Sequence, residues 1–169
     1  MSVYFCSDLH FGHKNIDKFR PFVKSEEDNR NQIKEDWCRL ITKRDTVYVL
    51  GDAAFTMDTV ADFGTLPGEK YLVRGNHDKL DTSVYLKYFK QVYGIIRYKE
   101  FWLSHAPIHP QELRGRVNLH GHVHYSNVLT NQGDLPWIDK RYFNCCVENT
   151  RTYGSSLISL DTIRSLYAC

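Results

Sequence analysis

Short apolar runs that end in polar residues recur along the first half of the chain. "SVYFCSD" at residues 2–8, "TVYVLGD" at 46–52 and "KYLVRGNHD" at 70–78 share one layout. Such runs, rich in Val, Tyr and Leu on consecutive positions, predict strands buried on both faces. Helical patterns lie between them. Residues 25–44 predict a helix: Ser25 can cap it, acids fill its first turns, and Ile33, Trp37, Leu40 and Ile41 share one face. Residues 57–63 predict a short helix stopped by "GTLPG", and residues 80–89 predict another. Beyond them strands dominate. "QVYGIIRYKEFWLSHAP" reads as two or three strands with a break at Gly94, and "VNLHGHVH" and "YFNCCVEN" are strand-like. Residues 126–141 carry little periodic signal and read as a loop. "SLISLDTIRSLY" reads as a strand and a short terminal helix. No repeat or linker divides the chain, so residues 1–169 read as one domain. The order of elements favours an α/β fold with a mixed sheet, or two packed sheets, and helices outside.

Composition narrows the picture only a little. The net charge of +2 singles out neither nucleic acid nor membrane as a partner. Aromatic residues make up 14% of the chain, which we read as a heavily packed core rather than a base-stacking surface. No apolar stretch approaches the roughly 20 residues of a membrane span. The N-terminus lacks a basic region followed by a long apolar run. The five cysteines, Cys6, Cys38, Cys145, Cys146 and Cys169, are odd in number and scattered. They read as small core residues in a reducing, cytoplasmic setting.

The polar residues at the run ends carry the chemistry. Asp8 and His10 follow the first run, Asp52 the second, and Asn76, His77 and Asp78 the third. His105 ends "FWLSH", and "NLHGHVH" places His120, His122 and His124 within seven positions. Strand ends along one sheet edge are where α/β sites gather. Gly51, Gly75 and Gly121 beside them allow sharp turns or close approach. Carboxylates, an amide oxygen and imidazoles suit Mn²⁺, Fe or Zn²⁺. Asp8, His10, Asp52, Asn76, His105, His122 and His124 are too many for one tetrahedral ion, which needs four ligands. Two ions sharing a carboxylate fit the set. His122 and His124 would share a face on a regular strand, whereas a turn at Gly121 would let them face different ions.

In this order, "DLH", "GD", "GNHD", "SHAP" and "GHVH" resemble the five sequence blocks of the calcineurin-like metallophosphoesterases. The resemblance implies a four-layer sandwich, two mixed β-sheets face to face with helices outside. It also implies two divalent metal ions, Mn favoured, with Zn, Fe, Ni or Mg as alternatives. Asp8, His10 and His124 would hold the first ion. Asn76, His105 and His122 would hold the second, with Asp52 bridging. The implied activity is phosphate-ester hydrolysis by a hydroxide bridging the two ions, with diesters favoured. Paired cations about 3.5–4 Å apart overcome the repulsion between hydroxide and ester. His77 would protonate the leaving group, and Asn76 would also contact the phosphate. Many relatives place a carboxylate three residues after the bridging Asp to orient this histidine. Phe55 stands there in this chain, with Asp78 or water as substitutes.

The remaining assignments are weaker in pattern. His13 and Asn15 in "HFGHKNI" read either as substrate contacts or as an exposed loop. Arg74 reads as a phosphate contact or a surface ion pair, and His109 and His120 as structural. Expected substrates are small phosphate esters, nucleotides or nucleic-acid ends, with no membrane partner. The protein is expected to be a monomer or homodimer. The alternatives are a monoesterase or nucleotidase of the same fold, a non-catalytic interaction scaffold derived from it, and a single structural zinc on His105, His122 and His124. Loss of metal ligands would mark the scaffold, and all seven positions are filled here.

Overall fold

The computed structural model describes residues 1–130 and 136–167. The chain begins with β1 (Val3–Cys6), α1 (Glu26–Leu40), β2 (Thr46–Val49), α2 (Met57–Ala61) and β3 (Glu69–Val73). It continues through α3 (Thr82–Tyr85), β4 (Gln91–Tyr93), β5 (Ile95–Tyr98), β6 (Phe101–Ser104) and β7 (Val117–His120). The small hairpin β8 (Leu129–Thr130) and β9 (Trp137–Ile138) precedes β10 (Tyr142–Asn144). The described chain closes with α4 (Val147–Thr150), β11 (Ile158–Ser159) and α5 (Leu160–Tyr167).

Two mixed sheets form. The first has the order β11-β1-β2-β3-β4, parallel except for β11, and the second the order β10-β7-β6-β5, parallel except for β5. Gly94, the expected break, is where the chain passes from β4 in one sheet to β5 in the other. The first sheet is apolar on both faces, as its continuous runs require. Cys6, Val47, Val49 and Leu72 pack with Ile33, Trp37 and Ile41 on the α1 side. Phe5, Tyr48, Leu50 and Val73 instead meet Phe101, Leu103, Leu119 and Phe143 of the second sheet. The connection between β6 and β7 is tied to the second sheet, where Asn118 Oδ1 accepts from Ile108 N and Tyr142 donates to Ile108 O.

Several element boundaries differ from the sequence reading. The helix expected over residues 25–44 stops at Leu40, because Ile41 turns extended and Asp45 captures the Thr42 amide and hydroxyl. The helix expected over 80–89 shrinks to Thr82–Tyr85. Asp81 caps it late, and its Thr, Ser, Val and Tyr are weak helix formers. "YFNCCVEN" is a strand only to Asn144, whose side chain accepts from Cys146 N and starts α4. The loop expected over 126–141 holds the β8–β9 hairpin, and its residues 131–135 lie outside the described residues. Cys6, Cys145 and Cys146 are buried, but Cys38 is exposed on the solvent side of α1, and Cys169 lies outside the described residues. Among the described residues no helix is long and apolar enough to cross a membrane.

Asp45 ties the start of β1 to the end of α1. It accepts from Ser2 N, Thr42 N and Thr42 Oγ1, and those bonds pull its carboxyl down from 3.8 to about 2. A carboxyl depressed on folding adds stability above its unfolded value and loses it as pH falls through the folded one. Asp45→Ala should therefore cost about 1–3 kcal/mol at neutral pH in denaturant melts. The gap to wild type should close as pH drops from about 4 towards 2. A gap that stayed constant down to acid unfolding would contradict this role.

Candidate binuclear metal centre

The C-terminal ends of β1, β2 and β3 lie side by side in the first sheet, and those of β6 and β7 in the second. They deliver Asp8, Asp52, Asn76, His105 and the segment carrying His122 and His124 to one edge. The backbone there leaves regular strand geometry. Asp8, His10, Asp52, His122 and His124 all adopt positive φ, between 50° and 72°. Asp and His tolerate the left-handed region better than most residues, and such strain gathers at functional sites. β7 ends at His120, so His122 and His124 sit on a turn and not on a shared strand face. Gly121 makes that turn possible, because a Cβ there would collide with Ser7 Oγ and Asp8 Oδ2. At Gly51, φ is +95° and a Cβ would strike the His105 ring.

Two carboxylates are fixed in the same way. Asp8 Oδ2 accepts from Ser7 Oγ (2.7 Å), His122 N (2.8 Å) and Cys146 Sγ (3.2 Å). Its Oδ1, buried and without a hydrogen-bond partner among the described residues, faces His10 Nε2 at 3.5 Å and His124 Nε2 at 3.7 Å. Asp52 Oδ1 accepts from His77 N (2.8 Å). Its Oδ2 lies 3.9 Å from His10 Nε2 and 3.5 Å from His105 Nε2. Asp52 thus stands between two groups of imidazoles. Burial works to raise the Asp8 carboxyl. The His10 side chain, the charges of His105 and His10, and the His122 amide outweigh it and hold the group well below the usual carboxylate range.

These donors fit cations. Both His10 ring nitrogens are buried and unpartnered among the described residues. His105 Nδ1–H donates to Leu50 O (2.9 Å), so the neutral ring carries its lone pair on Nε2. That lone pair faces Asn76 Oδ1 at 2.8 Å, and His122 Nδ1 lies 3.0 Å from the same oxygen and 3.2 Å from His105 Nε2. With His122 Nδ1 unprotonated, three lone pairs meet there, an arrangement that a cation would complete. Ligand atoms of Asp8, His10 and His124 lie within 4.8 Å of one another, as do those of Asp8, Asp52 and His105. One cation would sit among Asp8, His10, Asp52 and His124, and a second among Asp52, Asn76, His105 and His122.

The structure places the other candidates unequally. His77 stands at the rim, its ring packed on Phe55 (5.1 Å) and His10 (5.7 Å), and forms no side-chain hydrogen bond among the described residues. Asp78 does not orient it. That carboxylate accepts from the backbone N–H groups of Asp52, Ala53 and Gly75 and so shapes the turns that carry Asp52 and Asn76. His13 lines the cavity beside His10 and Phe55, and burial together with the nearby His10 pushes its pKa down. Asn15 is exposed and does not line that cavity. Arg74 forms no ion pair among the described residues. Its guanidinium donates to Asp78 O, Leu80 O and Thr82 Oγ1 and braces the loop after β3. His120 is buried beside Gly121 O, and burial brings its pKa down to about 4. His109 is exposed and accepts from Gln111 N.

Sequence reasoning missed the support behind His124. Its Nδ1 bonds to Glu148 Oε1 (3.0 Å), which leaves Nε2 facing Asp8. Glu148 Oε1 also accepts from Arg20 Nε (2.7 Å), and both of these side chains are buried. Arg20 further donates to Asn29 Oδ1 and to the carbonyls of Asp8 and Leu9. Carboxylate partners of this kind fix the tautomer and raise the basicity of ligating histidines. A charge directly after the buried run "FNCCV" was the available signal; nothing marked Arg20.

The calcineurin-like phosphoesterase family model matches residues 1–161. An uncharacterized protein of Methanocaldococcus jannaschii, MJ1445, is 33% identical over 97% of this chain and 90% of its own length. The gene 66 protein of Mycobacterium phage L5 is 28% identical over 76% of this chain and 80% of its own. The crystal structure of AQ665 from Aquifex aeolicus, a protein of unknown function, superposes with a TM-score of 0.73 at 28% identity, covering 98% of both chains.

Glu148→Gln keeps the shape but leaves the buried Arg20 charge uncompensated. Breaking such a pair costs about 3–5 kcal/mol, measurable in urea melts. Manganese affinity by calorimetry should weaken about 10–100-fold. Wild-type stability together with wild-type affinity would refute this support role.

Proposed function

The chain belongs to the calcineurin-like phosphoesterase family, and from that premise we propose that it is a binuclear metal-dependent hydrolase of phosphate esters, with diesters preferred. The observation that carries this reading is the convergence of two carboxylates, four imidazoles and an amide oxygen with lone pairs directed inward. Divalent cations held there, with Mn favoured, would supply Lewis acidity and lower the pKa of bound water. The residues do the rest. Asp52, fixed by the His77 amide, sets the spacing of the two halves. His105, locked by Leu50 O, keeps its Nε2 lone pair toward the centre. His77, which lines the pocket beside His10, would give a proton to the departing oxygen. Phe55 positions that ring by packing, where many relatives use a carboxylate.

A pocket of about 270 Å³ opens beside His10, His77 and His124. Among the described residues no lysine or arginine lines it. A group seated there would meet no protein cation, which suits an uncharged ester substituent. Small esters, nucleotides and nucleic-acid ends remain the substrate range.

The test is a hydrolysis panel on metal-stripped protein with Mn²⁺, Zn²⁺, Mg²⁺ or Ni²⁺ restored separately. Bis-aryl phosphate should be hydrolysed faster than mono-aryl phosphate. Asp52→Asn should lower kcat/KM more than about a hundredfold, and unchanged turnover would refute the bridge. His77→Ala should spare metal content and slow esters of poor leaving groups most, by about 10²–10⁴ in kcat. Equal losses on good and poor leaving groups would remove His77 from the acid role.

A further inference from the structure

Two of the most exposed large apolar side chains of this protein flank the same pocket. Phe19 is 63% exposed and Tyr125 is 57% exposed. They come from distant segments, one after the 3-10 turn Ile16–Lys18 and one directly after His124, yet both line the cavity that also holds His10, His77 and His124. A continuous run of ring contacts joins this rim to the centre. Phe19 meets His13 edge-on at 5.7 Å, His13 meets Phe55 at 5.1 Å, and Phe55 meets His77 at 5.1 Å. Ile16 adds a buried apolar wall. Exposing large aromatic faces to water is unfavourable unless something covers them.

We propose that this pocket is the subsite for the leaving group, and that it takes a flat, uncharged ring, an aryl group or a nucleobase. The assignment rests on the phosphoesterase reading and names the substrate class for it. Three observations converge. Exposed aromatic faces offer stacking to any planar ring, whatever its hydrogen-bond pattern. The lining has no lysine or arginine, so a second phosphate or another anionic group finds no partner there. His77 lines the pocket together with His10 and His124 and lies 5.7 Å from the His10 ring, so a ring seated in the pocket would lie beside both the proton donor and the carboxylate centre. His13 would contribute to the ring wall and not a hydrogen bond to phosphate.

Calorimetric binding of phenyl phosphate, uridine monophosphate and methyl phosphate to manganese-loaded protein tests this. At least one of the two ring-bearing ligands should bind about tenfold or more tighter than methyl phosphate, by the usual size of base–aromatic stacking. Which of them binds tighter separates an aryl group from a nucleobase. In the double variant Phe19→Ala, Tyr125→Ala that preference should fall to about threefold or less. Both side chains are exposed, so the variant should melt within a few degrees of wild type. Equal binding of ring-bearing and methyl phosphates, or a preference that survives in the double variant, would overturn the subsite. Selective ring binding by a protein that hydrolyses no ester with any metal would instead overturn the phosphoesterase reading and leave the ring pocket standing.

Discussion

The whole site depends on how two buried negative charges are held. Asp8 and Asp52 are almost entirely removed from water, and each is divided in function. One oxygen is tied by donors of the protein, and the other is turned toward imidazoles at distances too long for good hydrogen bonds. Burying an unpaired carboxylate is among the most unfavourable things a fold can do. The arrangement is therefore stable only if positive charge completes it. Cations do this best, because the surrounding histidines present lone pairs as well as rings.

The architecture follows from that requirement. Parallel strands put several chain reversals at one edge, and each reversal can bring a ligand inward. The reversals are tight enough that Asp8, His10, Asp52, His122 and His124 take left-handed backbone. Hydrogen bonds from three backbone amides to the Asp78 carboxylate, and the buried Arg20–Glu148 pair, hold these turns against their strain. The same scaffolding aligns His124 through Glu148 and His105 through Leu50 O. The ligands are thus oriented by partners drawn from the loops after β2 and β3 and from α4.

Much of this was legible in the chain itself. The layout of an apolar run, a glycine and then polar residues located the strand ends, and the chemical mixture at those ends specified the kind of ligand. The face assigned to "GHVH" was open in the sequence. The structure closes it, because Gly121 sits against Ser7 and Asp8 and forces the turn. Other features were not legible, for physical reasons. Arg20 and Glu148 are 128 positions apart, and no local pattern links them. Arg74 looks like a phosphate ligand beside "GNHD", but carbonyls that only the folded loop brings together claim its guanidinium. The aromatic total gave no hint that Phe19 and Tyr125 would face solvent at one pocket while rings such as Phe5, Trp37 and Phe63 packed inside.

Two manganese ions that shared the Asp52 carboxylate would be magnetically coupled. Electron paramagnetic resonance of the manganese-loaded chain, with metal content measured on the same sample, addresses this directly. Two ions per chain and a spectrum of exchange-coupled manganese are expected, with the coupling lost in Asp52→Asn. One ion per chain, or two that remain magnetically independent in the wild type, would contradict a bridge at Asp52.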